Sequence, residues 1–249
     1  GENGELWRST AGTTGWSEID LSGVTGWAND VTIYDVASDG AGNWMFGQDM
    51  EVFLSTNDGQ AWSRIVDFAD SAFAESGSDL SGFSVRSIVY TDSRWCVLLQ
   101  KSGQTRVFHA AASDTSSWSA ATVGGSAQAS GNKPHNGNAT RMAAGDGTVI
   151  MVATNANDTS RSTDGGQDWT KGSNDLPRTD CRNIATDGNG NWVACFDNGR
   201  VAISSNDGQT WAEQSGVQDG GSNTRIRHPS PSGVVVNLTG VAADVYLPV

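Results

Sequence analysis

Ser204-Ser205-Asn206-Asp207-Gly208-Gln209-Thr210-Trp211 returns as Ser55 to Trp62 (STNDGQAW) and as Ser162 to Trp169 (STDGGQDW), each time in the form S-x-N/D-x-G-x-x-W. Each fixed position has a physical reason. Asn57, Asp164 and Asn206 are of the types whose side chains bond their own backbone two residues on. Gly59, Gly166 and Gly208 take the positive φ of a hairpin turn, and Trp62, Trp169 and Trp211 plug the apolar space behind it. With Ser55, Ser162 and Ser204 opening each copy, the motif reads as a folding corner rather than a binding site. Two degenerate copies, Ser9 to Trp16 (STAGTTGW) and Ala111 to Trp118 (AASDTSSW), keep the Trp and lose the Gly.

Upstream of each corner lies a second repeating signal: an apolar strand, a Gly-rich turn and another apolar strand. It is clear in VTIYDVASDGAGNWMFG from Val31, VRSIVYTDSRWCVLL from Val85 and CRNIATDGNGNWVAC from Cys181. It is weaker in ATRMAAGDGTVIMVAT from Ala139 and TRIRHPSPSGVVVNL from Thr224. Short strands with turn signals at near-regular spacing indicate an all-β repeat architecture rather than a parallel α/β sheet. The unit reads as four antiparallel strands, and its Trp residues recur 42 to 56 residues apart, a spacing that fits the blades of a β-propeller. The expectation is one domain over residues 1–249, a propeller of five blades with six as the alternative. Leu6 to Ser9 and Trp16 to Leu21 supply two strands, and Arg225 to Leu238 supplies two more. The ring then closes in one blade shared by both ends, which removes the exposed sheet edge. The tail Gly240 to Val249 is either a competing strand or an outer addition.

The corners resemble the Asp-box, or BNR, repeats of sialidases and other glycosidases, sortilin-type receptors, photosystem II assembly factors and many phage virion proteins. The run from Arg182 through the Gly turn to Trp192 (RNIATDGNGNW) looks most like the assembly-factor branch. The resemblance spans nearly the whole chain and implies a propeller. It carries little about activity, because Asp-boxes lie away from the face where such propellers usually bind ligands. Assembly-factor propellers are typically seven-bladed, so five blades is a departure.

The chain has 249 residues and a net charge of -13, with 15 Lys and Arg against 28 Asp and Glu. That balance argues against nucleic acid and anionic membranes as partners, and no apolar run is long enough to insert into a bilayer. No basic, apolar leader stands at Gly1 to Asp30, so a secretion signal is expected to be either lacking or already removed. Cys96, Cys181 and Cys195 match no zinc spacing and read as small core residues, with a Cys181–Cys195 disulfide as a lesser alternative. No cofactor or metal is expected. Three segments exceed what a turn needs: Asp20 to Asp30, Asp67 to Gly82 and Ala121 to Asn138. All are expected on one face as binding or decorative loops.

Aligning the first strands at their Gly turns brings Arg86, Arg141, Arg182 and Arg227 to one register, with Tyr34 as the fifth member. Since that strand is innermost in a propeller, these side chains are candidates for a central anion-binding site. The competing reading is that each Arg pairs with an acidic residue and locks the ring. Sialidase chemistry is only partly represented: an arginine cluster is present, but no Glu is placed beside Tyr34. No Ser-His-Asp elbow occurs around His109, His135 or His228. The expected function is a non-enzymatic binding or assembly module, a structural or adhesion protein of a phage-like virion or cell surface. It would engage a protein partner, in symmetric copies, or a glycan through the long-loop face. The alternative is a glycan-processing enzyme.

Overall fold

The structure is a computed structural model that describes residues 4–10, 14–73, 80–91, 93–173 and 175–214. It also describes the backbone of 225–227 and 235–237; the side chains of these six residues and of Ser71 and Asn198 are outside the described set. The chain opens with β1 (Trp7–Arg8) and β2 (Ser17–Glu18), paired with each other. The first four-stranded sheet follows in meander order: β3 (Ile33–Ser38), β4 (Trp44–Gln48), β5 (Glu51–Ser55) and β6 (Ser63–Asp67). The second is β7 (Ser84–Thr91), β8 (Arg94–Lys101), β9 (Gln104–Ala111) and β10 (Asp114–Ala120). After the short hairpin β11 (Thr122–Val123) and β12 (Ser126–Ala127) comes a third sheet. Its strands are β13 (Ala139–Gly145), β14 (Thr148–Ala153), β15 (Thr159–Ser162) and β16 (Asp168–Lys171). The fourth is β17 (Cys181–Thr186), β18 (Trp192–Phe196), β19 (Arg200–Ser204) and β20 (Ala212–Glu213). A last two-stranded sheet pairs β21 (Arg225–Arg227) with β22 (Val235–Asn237). Every pairing within the repeating sheets is antiparallel.

The sheets stack face to face, β3 lying beside β7, β7 beside β13 and β13 beside β17. Strand alternation sends one set of apolar side chains to each face, so each of the first three sheets contributes to two cores. Met45, Val52 and Phe68 meet Ile88, Trp95 and Val97 between the first and second sheets. Val89, Cys96 and Leu98 meet Met142, Val149 and Trp169 between the second and third. Ile150 and Val152 meet Ile184, Trp192 and Ala194 between the third and fourth. A fourth cluster sets Leu6, Leu21 and Ile19 of the N-terminal segment against Phe46 and Phe53 of the first sheet.

The three corners are superimposable in their bonding. The opening Ser accepts the N–H of the Gly four residues on, at 2.9 Å in Ser55–Gly59, Ser162–Gly166 and Ser204–Gly208. It also donates to the Asn or Asp two residues on, at 2.9, 2.7 and 2.9 Å. The expected Asx bond to the backbone two residues on is replaced by longer reaches. Asn57 accepts Ala61 N–H, Asn206 accepts Thr210 N–H, and Asp164 accepts the N–H groups of both Gln167 and Asp168. The Ser hydroxyl already fills the inside of the turn, so the Asx oxygen reaches outward to its far end. The corner uses two consecutive left-handed residues: Asp58 and Gly59, Gly165 and Gly166, Asp207 and Gly208. Each Trp indole donates to the carbonyl of the motif Gly, at 3.1, 3.0 and 3.1 Å. Trp169 is fully buried, whereas Trp62 and Trp211 are half-buried.

Cys96, Cys181 and Cys195 are buried core residues as expected, while the lesser alternative of a disulfide and the reading of segment 121–138 as a loop need correction. Cys181 and Cys195 are both free thiols; Cys181 lies opposite Phe196 while Cys195 lies opposite Asn183, across a register shift. Burial pushes both up to about 12, so neither is a reactive thiolate. The segment 121–138 is not a free loop. Its Gly124-Gly125 turn makes the β11–β12 hairpin, β11 joins β16 in parallel, and buried Gln128 caps both polar groups of the Val107 backbone. His135 is fully buried, with Nδ1 accepting Gly137 N–H at 2.9 Å and Nε2 bonded to the Asp158 carbonyl at 3.1 Å.

Candidate binding site at the inner strands

Each innermost strand carries one register shift against its neighbour, always near its start. The shifts fall between Ile33 and Asp35, Val85 and Ser87, Ala139 and Arg141, and Cys181 and Asn183. The extra residues of these four bulges are therefore Tyr34, Arg86, Thr140 and Arg182. A bulge kinks the strand and aims the extra side chain away from the regular ladder. It also strips the following segment of a ladder partner, and side chains take up the freed N–H groups. Asp35 accepts Ile88 N–H at 2.9 Å and the Ser87 hydroxyl at 2.7 Å from the next sheet. Ser87 in turn accepts Met142 N–H from the sheet after that, at 3.1 Å. In the fourth sheet Asn183 satisfies Ile184 N–H at 3.0 Å from within its own strand. Asp35 and Ser87 thus splice three inner strands into one polar chain.

Burial pushes the Asp35 carboxyl above the ordinary carboxylate range, and the bonds from Ser87, Ile88 and Val36 with the more distant Arg141 charge pull it partly back. Both Asp35 oxygens are engaged, Oδ1 by Val36 N–H and Oδ2 by Ser87 and Ile88.

The sequence-derived site residues divide. Tyr34, Arg86 and Arg141 come together: the Arg86 guanidinium lies 3.9 Å over the Tyr34 ring, and Arg141 Nη1 donates to the Arg86 carbonyl at 3.0 Å. Arg141 Nη1 also donates to the Thr140 carbonyl at 3.0 Å. Arg86 Nε is buried with no hydrogen-bond partner. Among the described residues no carboxylate sits within ion-pair distance of Arg86 or Arg141. Arg182 behaves differently. It makes a two-pronged pair with Asp197, Nε to Oδ1 at 2.8 Å and Nη2 to Oδ2 at 2.7 Å, within its own sheet. The Arg227 side chain lies outside the described residues. Arg141 stands one residue past its bulge, where Asp35, Ser87 and Asn183 stand in the other sheets.

Two residues of the site escaped the sequence reading, Asp35 and Ser87. The signal was present as a two-residue step ending in a polar residue between apolar ones in each first strand, Ile33 to Val36, Val85 to Ile88, Ala139 to Met142 and Cys181 to Ile184, but only the bulge shows that Asp35 and Ser87 reach the neighbouring sheet. Among the described residues, no group of three or more His, Cys, Asp or Glu side chains is placed to hold a metal.

No protein-family model matches the chain, and no curated protein matches it in sequence. Solved structures do match in shape. A YCF48 structure bound to a D1 peptide shares 16 % identity at a TM-score of 0.55, over 86 % of this chain and 62 % of that one. YCF48 from Cyanidioschyzon merolae gives 12 % identity and a TM-score of 0.59, over 90 % of this chain and 69 % of that one. An ancestral GH74 enzyme gives 17 % identity and a TM-score of 0.60, over 92 % of this chain and 31 % of that one. The chain therefore spans less than two thirds of the length of the peptide-bound YCF48 and about a third of the GH74 enzyme. At these identities the likeness is one of fold. The fold is a β-propeller.

In propeller terms the four complete sheets are blades, and the bulges mark one end of their innermost strands. Tyr34, Arg86 and Arg141 thus come from three successive blades. Tyr34 is 38 % exposed, so an aromatic ring and two guanidinium groups with no ion pair among the described residues come together at one place. Chemically such a set can clamp a carboxylate and stack against a flat group.

Proposed function

We propose that the protein is a non-enzymatic binding module, a five-bladed Asp-box propeller whose inner-strand site takes an acidic segment of a protein partner. The observation that carries this reading is that, among the described residues, no carboxylate lies within ion-pair distance of Arg86 or Arg141 in a chain of net charge -13. Acidic residues abound, yet none of the described ones forms an ion pair with these two groups, whereas Asp197 pairs with Arg182. The fold is suited to this work: the YCF48 structure of similar shape was solved with a peptide in place. The setting we infer is an assembly or adhesion component of a phage-like virion or cell surface, in symmetric copies that multiply weak contacts.

The test is fluorescence anisotropy with an oligo-Glu peptide against a length-matched oligo-Gln peptide. Each charge-assisted bond contributes roughly 1.5–3 kcal/mol, so Arg86→Gln should weaken the acidic peptide about tenfold or more, with the melting temperature nearly unchanged. Equal binding of both peptides, or an Arg86→Gln protein that binds as before, overturns the reading. Turnover of a glycoside panel that is lost on replacing one carboxylate would favour the glycan-processing alternative instead.

A further inference from the structure

Segment 128–138 lies as a strap across the seam between the second and third blades, and its two flanks are tied by different chemistry. On the second-blade flank no tie titrates near neutrality. Gln128 bonds both polar groups of the Val107 backbone, Lys133 Nζ donates to the Gly103 carbonyl at 2.7 Å, and Asn138 Oδ1 accepts the Gly103 N–H and the Gln100 amide. On the third-blade flank Asn138 N–H donates to Asn155 Oδ1 at 2.6 Å, Thr154 N–H donates to the Asn138 carbonyl at 3.3 Å, and His135 bonds the Asp158 carbonyl. This flank is also pressed close: a Cβ on Gly137 would lie 2.7 Å from Asn155 Oδ1 and 3.0 Å from the Cβ atoms of Ala153 and Ala156.

The His135 ring makes its two bonds in one protonation state only. Gly137 N–H points at Nδ1, so Nδ1 is the acceptor and the ring proton sits on Nε2, which donates to the Asp158 carbonyl. A second proton, on Nδ1, meets the Gly137 N–H donor to donor. The ring is 0 % exposed, so no water answers the cation that forms. Three charges face it: Asp158 and Asp175 from the third blade, and Lys133 from the strap itself. Burial holds the ring below the ordinary imidazole range and Lys133 adds to this, outweighing the Asp158 carbonyl and the two carboxylates, which pull the other way.

We propose that His135 is a proton-sensitive latch: neutral, it holds the strap on the third blade, and protonated, it lets that flank go. The released ring titrates at the ordinary value of about 6.5 and the latched ring lower. The latched form therefore has its full advantage above about pH 6.5 and loses it as the pH falls further, by up to about tenfold in population per pH unit. The strap runs directly into Ala139, where β13 begins, and the bulge of that strand carries Thr140 and Arg141. Acidification is thus read at the end of the molecule that carries the inner-strand site.

The test is amide hydrogen exchange of the full chain between about pH 7.5 and 5.5, with protection factors of 128–138 set against those of β18. Strap protection should fall by up to about tenfold per pH unit below about 6.5 while β18 keeps its own. His135→Gln should flatten that profile. Gly137→Ala, which adds the crowding Cβ, should lower strap protection by the same factor at every pH. Burial and the neighbouring Arg94 also lower His109, so it needs a control. The chain has three histidines, and His109→Gln with His228→Gln leaves His135 as its one imidazole. That variant should keep the wild-type profile, and it carries the test should His135→Gln fail to fold. A flat strap profile in the wild type overturns the latch, as does a loss of protection in step with β18. So does a loss that persists in His135→Gln or one that vanishes in the His109, His228 variant. The latch rests on the strap and not on the acidic-site reading, so its failure leaves the Arg86 binding measurement standing.

Discussion

The outer corners and the inner bulges are both repeated devices, but they repeat different things. At the corners sequence and geometry recur together: Ser, Asx, Gly and Trp make the same bonds at Ser55–Trp62, Ser162–Trp169 and Ser204–Trp211, to within a few tenths of an ångström. At the bulges only the backbone recurs. Its extra residue is Tyr34, Arg86, Thr140 or Arg182, and the residue after it Asp35, Ser87, Arg141 or Asn183. A device whose side chains are held constant serves the fold, and one whose backbone is constant while its side chains vary is free to serve a ligand.

The largest effect should come from the corner that is sealed most completely. Trp169 is fully buried because the β11–β12 hairpin lies along β16, with Val123 beside it. Emptying such a site costs about 3–5 kcal/mol, so Trp169→Ala should lower the stability by that much, measured by urea titration. Trp211→Ala, at a half-buried copy of the same corner, should cost roughly 2 kcal/mol. Equal losses at both would mean that the hairpin adds nothing to the corner.

An intermediate effect is expected where the bulges are spliced. Ser87 donates to Asp35 and accepts Met142 N–H, so Ser87→Ala leaves a buried backbone N–H and a buried carboxylate each short of a bond. Unmet buried polar groups cost about 1–3 kcal/mol each, and a loss in that range on Ser87→Ala, with faster amide exchange at Met142, would mark the polar chain as structural. A neutral outcome would mean that water replaces the hydroxyl and that the inner strands are held by their apolar faces alone.

How far each device was legible from sequence follows from this difference. Corners announce themselves because their chemistry must be repeated; even the role of the opening Ser was implied by its recurrence, though its bond to the Gly N–H was not. Bulges leave no such trace. Aligning first strands by their Gly turns put Arg141 level with Tyr34 and Arg182, but the turn of the third blade is only Asp146-Gly147 while those of the first and fourth run from Asp39 to Asn43 and from Asp187 to Asn191. Counting back from turns of unequal length slips the register by one residue. The β11–β12 hairpin was hidden for another reason: its strands are two residues each, too short for alternation to show, and only the paired glycines between them marked a turn.

The smallest effect separates the two meanings an inner-strand arginine can have. Arg182 and Asp197 form a two-pronged pair, yet both are well exposed, at 52 % and 40 % of their side chains. The Asp197 carboxyl is held below its ordinary range chiefly by the Arg182 bond. Water and salt compete for such a pair, and exposed pairs contribute only about 0–1 kcal/mol. Arg182→Gln should therefore shift stability by less than about 1 kcal/mol and, because its charge is already spoken for, leave acidic-peptide affinity within about twofold. Arg86→Gln should do the opposite in binding, since no carboxylate among the described residues pairs with it. If both substitutions weaken the peptide equally, the ligand reads the summed field of the basic end rather than the Tyr34–Arg86–Arg141 group. Affinity should then fall steeply with salt in the wild type and in both variants alike. If only Arg86→Gln weakens it, the bulge that freed this guanidinium from a partner is what makes the site.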